Sequence, residues 1–184
     1  MSTKIVLRNV RIAFAHGIWT PSAQDNNDPK YNCAFLFPKD HPAVKEIEAA
    51  ALEAANNKWG AKGKQMYDAL KAQGKVGPYD GNLKSQYAGY EDMLYINASN
   101  KTRPTVRDRD GKTPLVQADG RPYSGAIVNG IVEFWAQANS YGTRLNCSLM
   151  GVQFVKDAEA FSGGGVASDA DFEIIDGSDA DDLL

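Results

Sequence analysis

Two cysteines and two histidines are all that 184 residues offer in thiol and imidazole ligands. Cys33 and Cys147 each fall in the middle of a strand-like run, so they read as buried thiols of a reducing compartment rather than a disulfide framework. His16 and His41 lack a second ligand at the spacings that zinc sites use, so neither a metal nor a cofactor is expected. No run of about 18 apolar residues occurs, which argues against a helical membrane span. The opening Met1-Ser2-Thr3-Lys4 passes straight into an alternating pattern instead of a signal peptide, and a cytoplasmic location is expected. Neither Gly-x-Ser-x-Gly nor a complete phosphate-binding loop is present; Gly60-Ala61-Lys62-Gly63-Lys64 is only a fragment of one.

Positive charge is missing from one whole stretch. Residues 157–184 hold nine carboxylates and no Lys or Arg, whereas residues 1–156 hold all 20 bases against 14 acids. The net charge of −3 therefore combines a body of +6 with a segment of −9. The expected organisation is one domain over 1–156, large enough to bury a real core, and a disordered acidic tail over 157–184. Gly163, Gly164 and Gly165 read as a flexible joint. Acidic ends are often simple solubilising devices. This one interleaves apolar residues with its charges, as a peptide bound by another protein must, so Phe172, Asp176, Asp179, Asp181, Asp182, Leu183 and Leu184 are the candidate partner-binding residues. A polyanion tethered to a cationic body can also occupy a nucleic-acid groove until the nucleic acid displaces it.

Along the body, residues 4–14 read as a long strand with Ile5 and Leu7 on one parity and Val10, Ile12 and Phe14 on the other, which places a bulge near Arg8 and Asn9. Residues 30–37 form a second strand with Tyr31, Cys33, Phe35 and Phe37 on one face. Asp40 is suited to cap a helix over 42–59 whose stripe is Val44, Ile47, Ala51, Leu52, Ala55 and Trp59. A shorter, basic helix follows over 62–73, ended by Gly74. A loop with Tyr79, Tyr87 and Tyr90 leads to a strand over 93–98, and strands over 125–137 and 143–156 make a hairpin turning at Asn139-Ser140-Tyr141-Gly142. Its core side is Val128, Val132 and Phe134; Trp135 lies on the opposite parity among Asn129, Glu133 and Gln137. The fold class expected is mainly β with a helical insertion (α+β), an OB-type antiparallel barrel, with an open antiparallel sheet on the long helix as the alternative.

Single strands of DNA are held by bases that track phosphates and by aromatic faces on which nucleobases stack. Lys101, Arg103, Arg107 and Arg109, in the densest basic segment, lie beside the strand bearing Tyr95; Trp135, Tyr141 and Arg144 surround the final hairpin. These eight are the candidate DNA-binding residues. Trp135 is the sharpest among them, its alternative being burial under a helix against Trp59. The loop tyrosines are read as local packing. No catalytic constellation matches this in strength. Asp108 and Asp110 could hold Mg²⁺ in a nuclease, yet Asp-x-Asp-Gly is also an ordinary turn. A virion or scaffold protein without nucleic-acid binding is the remaining alternative.

The blocks Gly142-Thr143-Arg144-Leu145 and Gly151-Val152-Gln153-Phe154-Val155-Lys156-Asp157, with Ser99-Asn100-Lys101-Thr102-Arg103-Pro104 and the end Asp179-Ala180-Asp181-Asp182-Leu183-Leu184, resemble the small OB-fold single-stranded-DNA-binding proteins of tailed bacteriophages. The resemblance spans nearly the whole chain. It implies a non-enzymatic protein that coats single-stranded DNA in phage replication and recombination, inside the bacterial host. Its acidic tail would dock replication proteins such as the polymerase or the helicase and primase. A homodimer is compatible with the sequence. The helical insertion departs from the simplest OB order, because it follows only two strands.

Overall fold

A computed structural model describes residues 3–23, 28–140, 142–161 and Ile175. Seven strands run through it: β1 (Lys4–Ala13), β2 (Tyr31–Phe37), β3 (Tyr79–Asp80), β4 (Leu94–Asn100), β5 (Thr105–Arg107), β6 (Ile127–Asn139) and β7 (Gly142–Lys156). Two helices, α1 (Ala43–Trp59) and α2 (Gly63–Ala72), lie between β2 and β3. The hydrogen-bonded order is β3-β4-β2-β1-β6-β7-β5, and a further parallel pairing of β4 with β7 at Ser99 and Ser148 closes the sheet on itself. The closed ring is β1-β2-β4-β7-β6. It has the five strands of an OB barrel, with the helices inserted after the second of them. Closure rules out the open-sheet alternative.

β1 can serve two neighbours because it bends. Its register against β6 shifts between Leu7 and Val10, both buried, while Asn9 takes a left-handed φ of 55° and donates its N–H to Asn129 Oδ1 at 3.0 Å. Asn tolerates that conformation better than most residues, so the bulge sits where the parity changes. Leu7, Ile12, Phe35, Phe37, Val128, Val132, Leu149 and Phe154 fill the barrel. Gly130 leaves room for the Phe35 ring, which a side chain there would strike. α1 packs on β6 and β1 through Ile47, Ala51 and Ala55, joined by Ala43, Ala50 and Ala54; Val44, Leu52 and Trp59 of the expected stripe are half-buried. Asp40 does not cap α1: Pro42 occupies the N-cap, and the Ala43 N–H is taken by His41 Nδ1 at 2.9 Å. Gly74 ends α2 at φ 70°, with the Lys75 N–H returning to the Leu70 carbonyl at 2.9 Å. No helix among the described residues is long and apolar enough to cross a membrane.

The loop after α2 covers part of the barrel's outside. Tyr90 and Tyr95, with Ala13, Ala34 and Leu36, form a second small core, against which Tyr79, Met93 and Phe161 pack. Beyond β7 the chain stays attached: Tyr123 Oη donates to Asp157 Oδ1 at 2.9 Å, Arg11 donates to the Glu159 carbonyl, and the Phe161 N–H reaches the Ser124 carbonyl at 2.8 Å. Side chains at Gly89 or Gly125 would strike Phe161 or the backbone of 159–161, so both glycines make room for this strap.

Candidate nucleic-acid interface

The outward residues of β2, β4 and β7 meet in one row. Asn32 pairs with Ser99, and Ser99 with Ser148, so three polar side chains cross the barrel side by side. Exposed Asn97 lies two residues before Ser99 on the same face of β4, and Asn146 two residues before Ser148 on β7. Trp135 on β6 stands opposite Asn146, is 45% exposed, and donates its indole N–H to Ser148 Oγ at 2.9 Å. That bond fixes the ring on the outer surface, away from Trp59. Arg144, exposed on β7 opposite Gln137, lies four residues from Ser148, about 13 Å along the strand.

Basic groups gather where β4 ends. Lys101 is exposed and pairs with Asp28 at 3.2 Å; the Arg103 guanidinium lies 5.7 Å from the Tyr31 ring and borders a small cavity of ≈ 120 Å³ with Trp19 and Pro104. Exposed ion pairs of this kind are weak and yield readily to a phosphate. Arg107 and Arg109 sit apart from this group, along β5 and the turn after it. Arg107 Nη1 donates to the Lys112 carbonyl at 2.9 Å, and Arg109 lies 5.5 Å from the Phe154 ring. The basic segment therefore divides: Lys101 and Arg103 flank the polar row, while Arg107 and Arg109 brace the neighbouring edge.

Tyr95 is a packing residue, in contrast to the stacking role expected from the sequence. It is only 6% exposed; Tyr79 and Tyr90 lie 5.4 and 5.2 Å from its ring, and Lys84 Nζ 5.1 Å. Burial raises its hydroxyl pKa, and that of Tyr90 more strongly. The parity of β4 points Tyr95 out of the barrel, but the 81–93 loop then covers it. Phe14 reverses the expectation in the other direction. It shares the parity of Val10 and Ile12, yet leaves the strand in a left-handed conformation (φ 56°, ψ 43°) and is 47% exposed. Tyr141 and the tail residues Phe172, Asp176, Asp179, Asp181, Asp182, Leu183 and Leu184 lie outside the described residues.

Asp108 and Asp110 serve the turn. Asp108 accepts from Arg121 Nη2 at 2.6 Å and from the Arg109 N–H at 2.9 Å; Asp110 accepts the Lys112 and Thr113 N–H groups and the Thr113 hydroxyl. The Arg121 bond holds the Asp108 pKa down, and the Thr113 hydroxyl, followed by the two backbone bonds, brings that of Asp110 to about 2. Among the described residues no group of three or more His, Cys, Asp or Glu converges as a metal site would require. Cys33 and Cys147 are free thiols whose pKa values burial raises.

A family described as Enterobacter phage Enc34, ssDNA-binding protein, matches residues 3–184. The chain belongs to that family. Protein p50 of Acyrthosiphon pisum secondary endosymbiont phage 1 is 40% identical over 184 residues, covering 98% of both chains. The structure of the single-stranded-DNA-binding protein of bacteriophage Enc34 in complex with ssDNA superimposes with a TM-score of 0.70 at 28% identity, over 87% of this chain and 90% of that one. At fold level alone, gp2.5 of bacteriophage T7, a single-stranded-DNA-binding protein, matches with a TM-score of 0.52 at 14% identity, over 98% of this chain and 94% of that one. The early helical insertion is thus compatible with the architecture of phage proteins of this kind.

Proposed function

We propose that this chain coats single-stranded DNA in the host cytoplasm during phage replication and recombination, without catalysing a reaction. One observation carries the reading: an exposed Trp135 rests on a continuous polar row, Asn32-Ser99-Ser148, with Arg144 on one side and Lys101 and Arg103 on the other. A stacking ring and phosphate partners are the two ingredients of single-strand binding, and the polar row adds hydrogen-bonding groups between them. The structure of the Enc34 protein in complex with ssDNA supports the same ligand. The working surface comprises Trp135, Arg144, Lys101 and Arg103, with Tyr141 added from its place in the sequence between Trp135 and Arg144; Arg107 and Arg109 extend the positive field from the adjoining edge.

The acidic segment has two proposed roles, competition with DNA and docking of the polymerase or the helicase and primase through Phe172 and Asp181-Asp182-Leu183-Leu184. Support comes from charge and attachment. Residues 162–184 carry seven of the nine tail acids, and the strap delivers their first residue beside Phe161, which packs with Tyr90 on the outside of the barrel. Titrating labelled oligo-dT, duplex and RNA by fluorescence anisotropy at several salt concentrations tests the main reading. Tight, salt-sensitive binding of intact oligo-dT in the presence of Mg²⁺ is expected; cleavage would establish the nuclease alternative, and absence of binding the scaffold alternative. Removing residues 162–184 is expected to tighten binding, most at low salt where charge competition is least screened, and to abolish capture of replication proteins. Equal affinities at low salt would eliminate competition.

A further inference from the structure

We infer that Phe14 and Tyr87 form a second stacking platform, which takes unpaired nucleobases of the same strand that reaches Trp135. The inference rests on the proposed binding of single-stranded DNA and adds a site to it. Among the described residues the strongly exposed aromatic rings are Phe14, Tyr87 and Trp135, at 47%, 43% and 45%. Phe14 and Tyr87 meet edge to face at 5.2 Å, and both lean on buried Tyr90, at 6.2 and 5.9 Å. Two half-exposed rings held by a third, fully covered ring make a firm apolar ledge in water. Such a patch on a soluble domain marks a binding surface.

Backbone geometry points the same way. A phenylalanine in the left-handed region is strained, and glycine would occupy Phe14's φ of 56° without penalty. Had Phe14 continued the β1 alternation it would have entered the barrel with Val10 and Ile12. Instead it caps the short 3-10 turn Ala15–Ile18, anchored by the Gly17 N–H on the Phe14 carbonyl at 3.1 Å and the Ala15 N–H on Ser124 Oγ at 3.0 Å. The fold accepts strain in order to hold this ring in solvent, a pattern that accompanies binding sites.

The ledge is continuous with the row described above. Phe14, His16, Thr20, Pro21 and Asn32 border a cleft of ≈ 250 Å³. That is just below the ~300 Å³ at which pockets for drug-sized ligands begin, a scale suited to one planar base. Asn32 is shared by the cleft and the row, and from Asn32 through Ser99 to Ser148 is two inter-strand steps, about 10 Å. At the 3.4 Å per nucleotide of a stacked strand that distance is about three nucleotides, shorter than the about 4–16 nucleotides that one OB barrel binds, so one strand can span both ends. Exposed Lys30 and half-buried Lys84 adjoin this end and supply phosphate partners. A strand that stacks on Trp135 therefore meets Phe14 and Tyr87 next.

The test uses the full chain, an oligo-dT of about 16 nucleotides and anisotropy titrations across salt. Phe14→Ala and Tyr87→Ala should each weaken binding by about 5- to 150-fold, the equivalent of one lost stack, with an unchanged salt slope, while Phe14→Trp keeps wild-type affinity. Phe14→Gly separates binding from folding. It removes the ring and the backbone strain together, so the melting temperature should hold while affinity falls as far as in Phe14→Ala. Halogenated-uracil oligonucleotides should crosslink to peptides bearing Phe14 or Tyr87. Wild-type affinity in both alanine variants, with the wild-type chain binding normally, would overturn the platform and leave the proposed function standing. A wild-type chain that binds no single-stranded DNA would overturn the proposed function itself.

Discussion

Trp135 and Phe134 are adjacent on β6 and face opposite ways, so truncating each in turn separates DNA binding from folding. Trp135 is 45% exposed and is tied down by its indole bond to Ser148. Removing the ring opens no cavity, and the solvent-accessible hydrogen bond contributes about 0.5–1.5 kcal/mol, equivalent to about 1–6 °C in a domain of this size. If a base stacks on the indole, the same truncation costs ~1–3 kcal/mol of binding, about 5- to 150-fold in Kd. Phe134, at 3% exposure, is part of the barrel core, where Phe→Ala costs about 3–5 kcal/mol of stability. The expected pattern is therefore crossed: Trp135→Ala moves affinity and hardly moves Tm, whereas Phe134→Ala lowers Tm by about 6–20 °C and leaves the affinity of the folded fraction intact. Anisotropy titration with labelled oligo-dT and thermal unfolding by circular dichroism read the two axes. A Trp135→Ala protein of unchanged affinity, or one whose Tm falls as far as that of Phe134→Ala, would refute the assignment of the ring to DNA.

Phosphate contacts by Lys101, Arg103 and Arg144 imply a log-log salt slope near −0.7 × 3, about −2. Arg103→Ala should reduce its magnitude by about 0.7, whereas Arg121→Ala, whose guanidinium is committed to Asp108, should leave it unchanged; equal slopes in wild type and Arg103→Ala would remove Arg103 from the interface. Gly130→Ala drives a methyl group into the Phe35 ring and is expected to cost about 1–3 kcal/mol in a chemical-denaturation series, with single-strand affinity of the folded protein retained. Asp110 has a folded pKa of about 2, below its ordinary 3.8, so its bonds to Thr113 and Lys112 stabilise the turn above about pH 4 and are lost as pH falls through 2. An NMR carboxyl titration should show that low midpoint and an upward shift in Thr113→Val; a midpoint near 3.8 in the wild-type chain would contradict the hydrogen bonding.

Alternation made β1, β2, β6 and β7 legible, because each of these strands has one face in the barrel and a side chain's parity decides its environment. The bulge at Asn9 was legible for the same reason, as a break in parity between Leu7 and Val10. The tertiary covering of the outer face was not. Tyr95 and Trp135 both point outward from their strands, and nothing local distinguishes the one roofed by Tyr79 and Tyr90 from the one left in water. A closed barrel was expected, but the place where it closes was hidden, since a single parallel pairing, Ser99 with Ser148, joins segments separated by 49 positions and leaves no periodic mark. Phe14 was misplaced because parity presumes that the strand continues; one left-handed residue ends it, and no flanking glycine announces the change.

The end of the body shows how charge and packing can disagree about a boundary. The composition turns acidic at Asp157, immediately after β7, yet the chain keeps hold of the barrel as far as Phe161. Apart from the Asp157 carboxylate, which accepts from Tyr123 Oη, it does so through backbone groups and the Phe161 ring rather than through acidic side chains. Arg11 takes the Glu159 carbonyl, stacks its guanidinium 4.2 Å from the Phe161 ring, and also bonds the Gly125 carbonyl at 2.9 Å. A carboxylate count registers none of these contacts. Their consequence is positional: a segment released at Lys156 would start at the far end of β7, whereas one released at Phe161 starts against Gly89, two residues from Tyr87 and on the face that carries Phe14. The proposed competition between acids and phosphates would depend on local concentration, which falls as the tether lengthens, so a tether that starts at Phe161 instead of Lys156 would favour competition on this face without adding any charge.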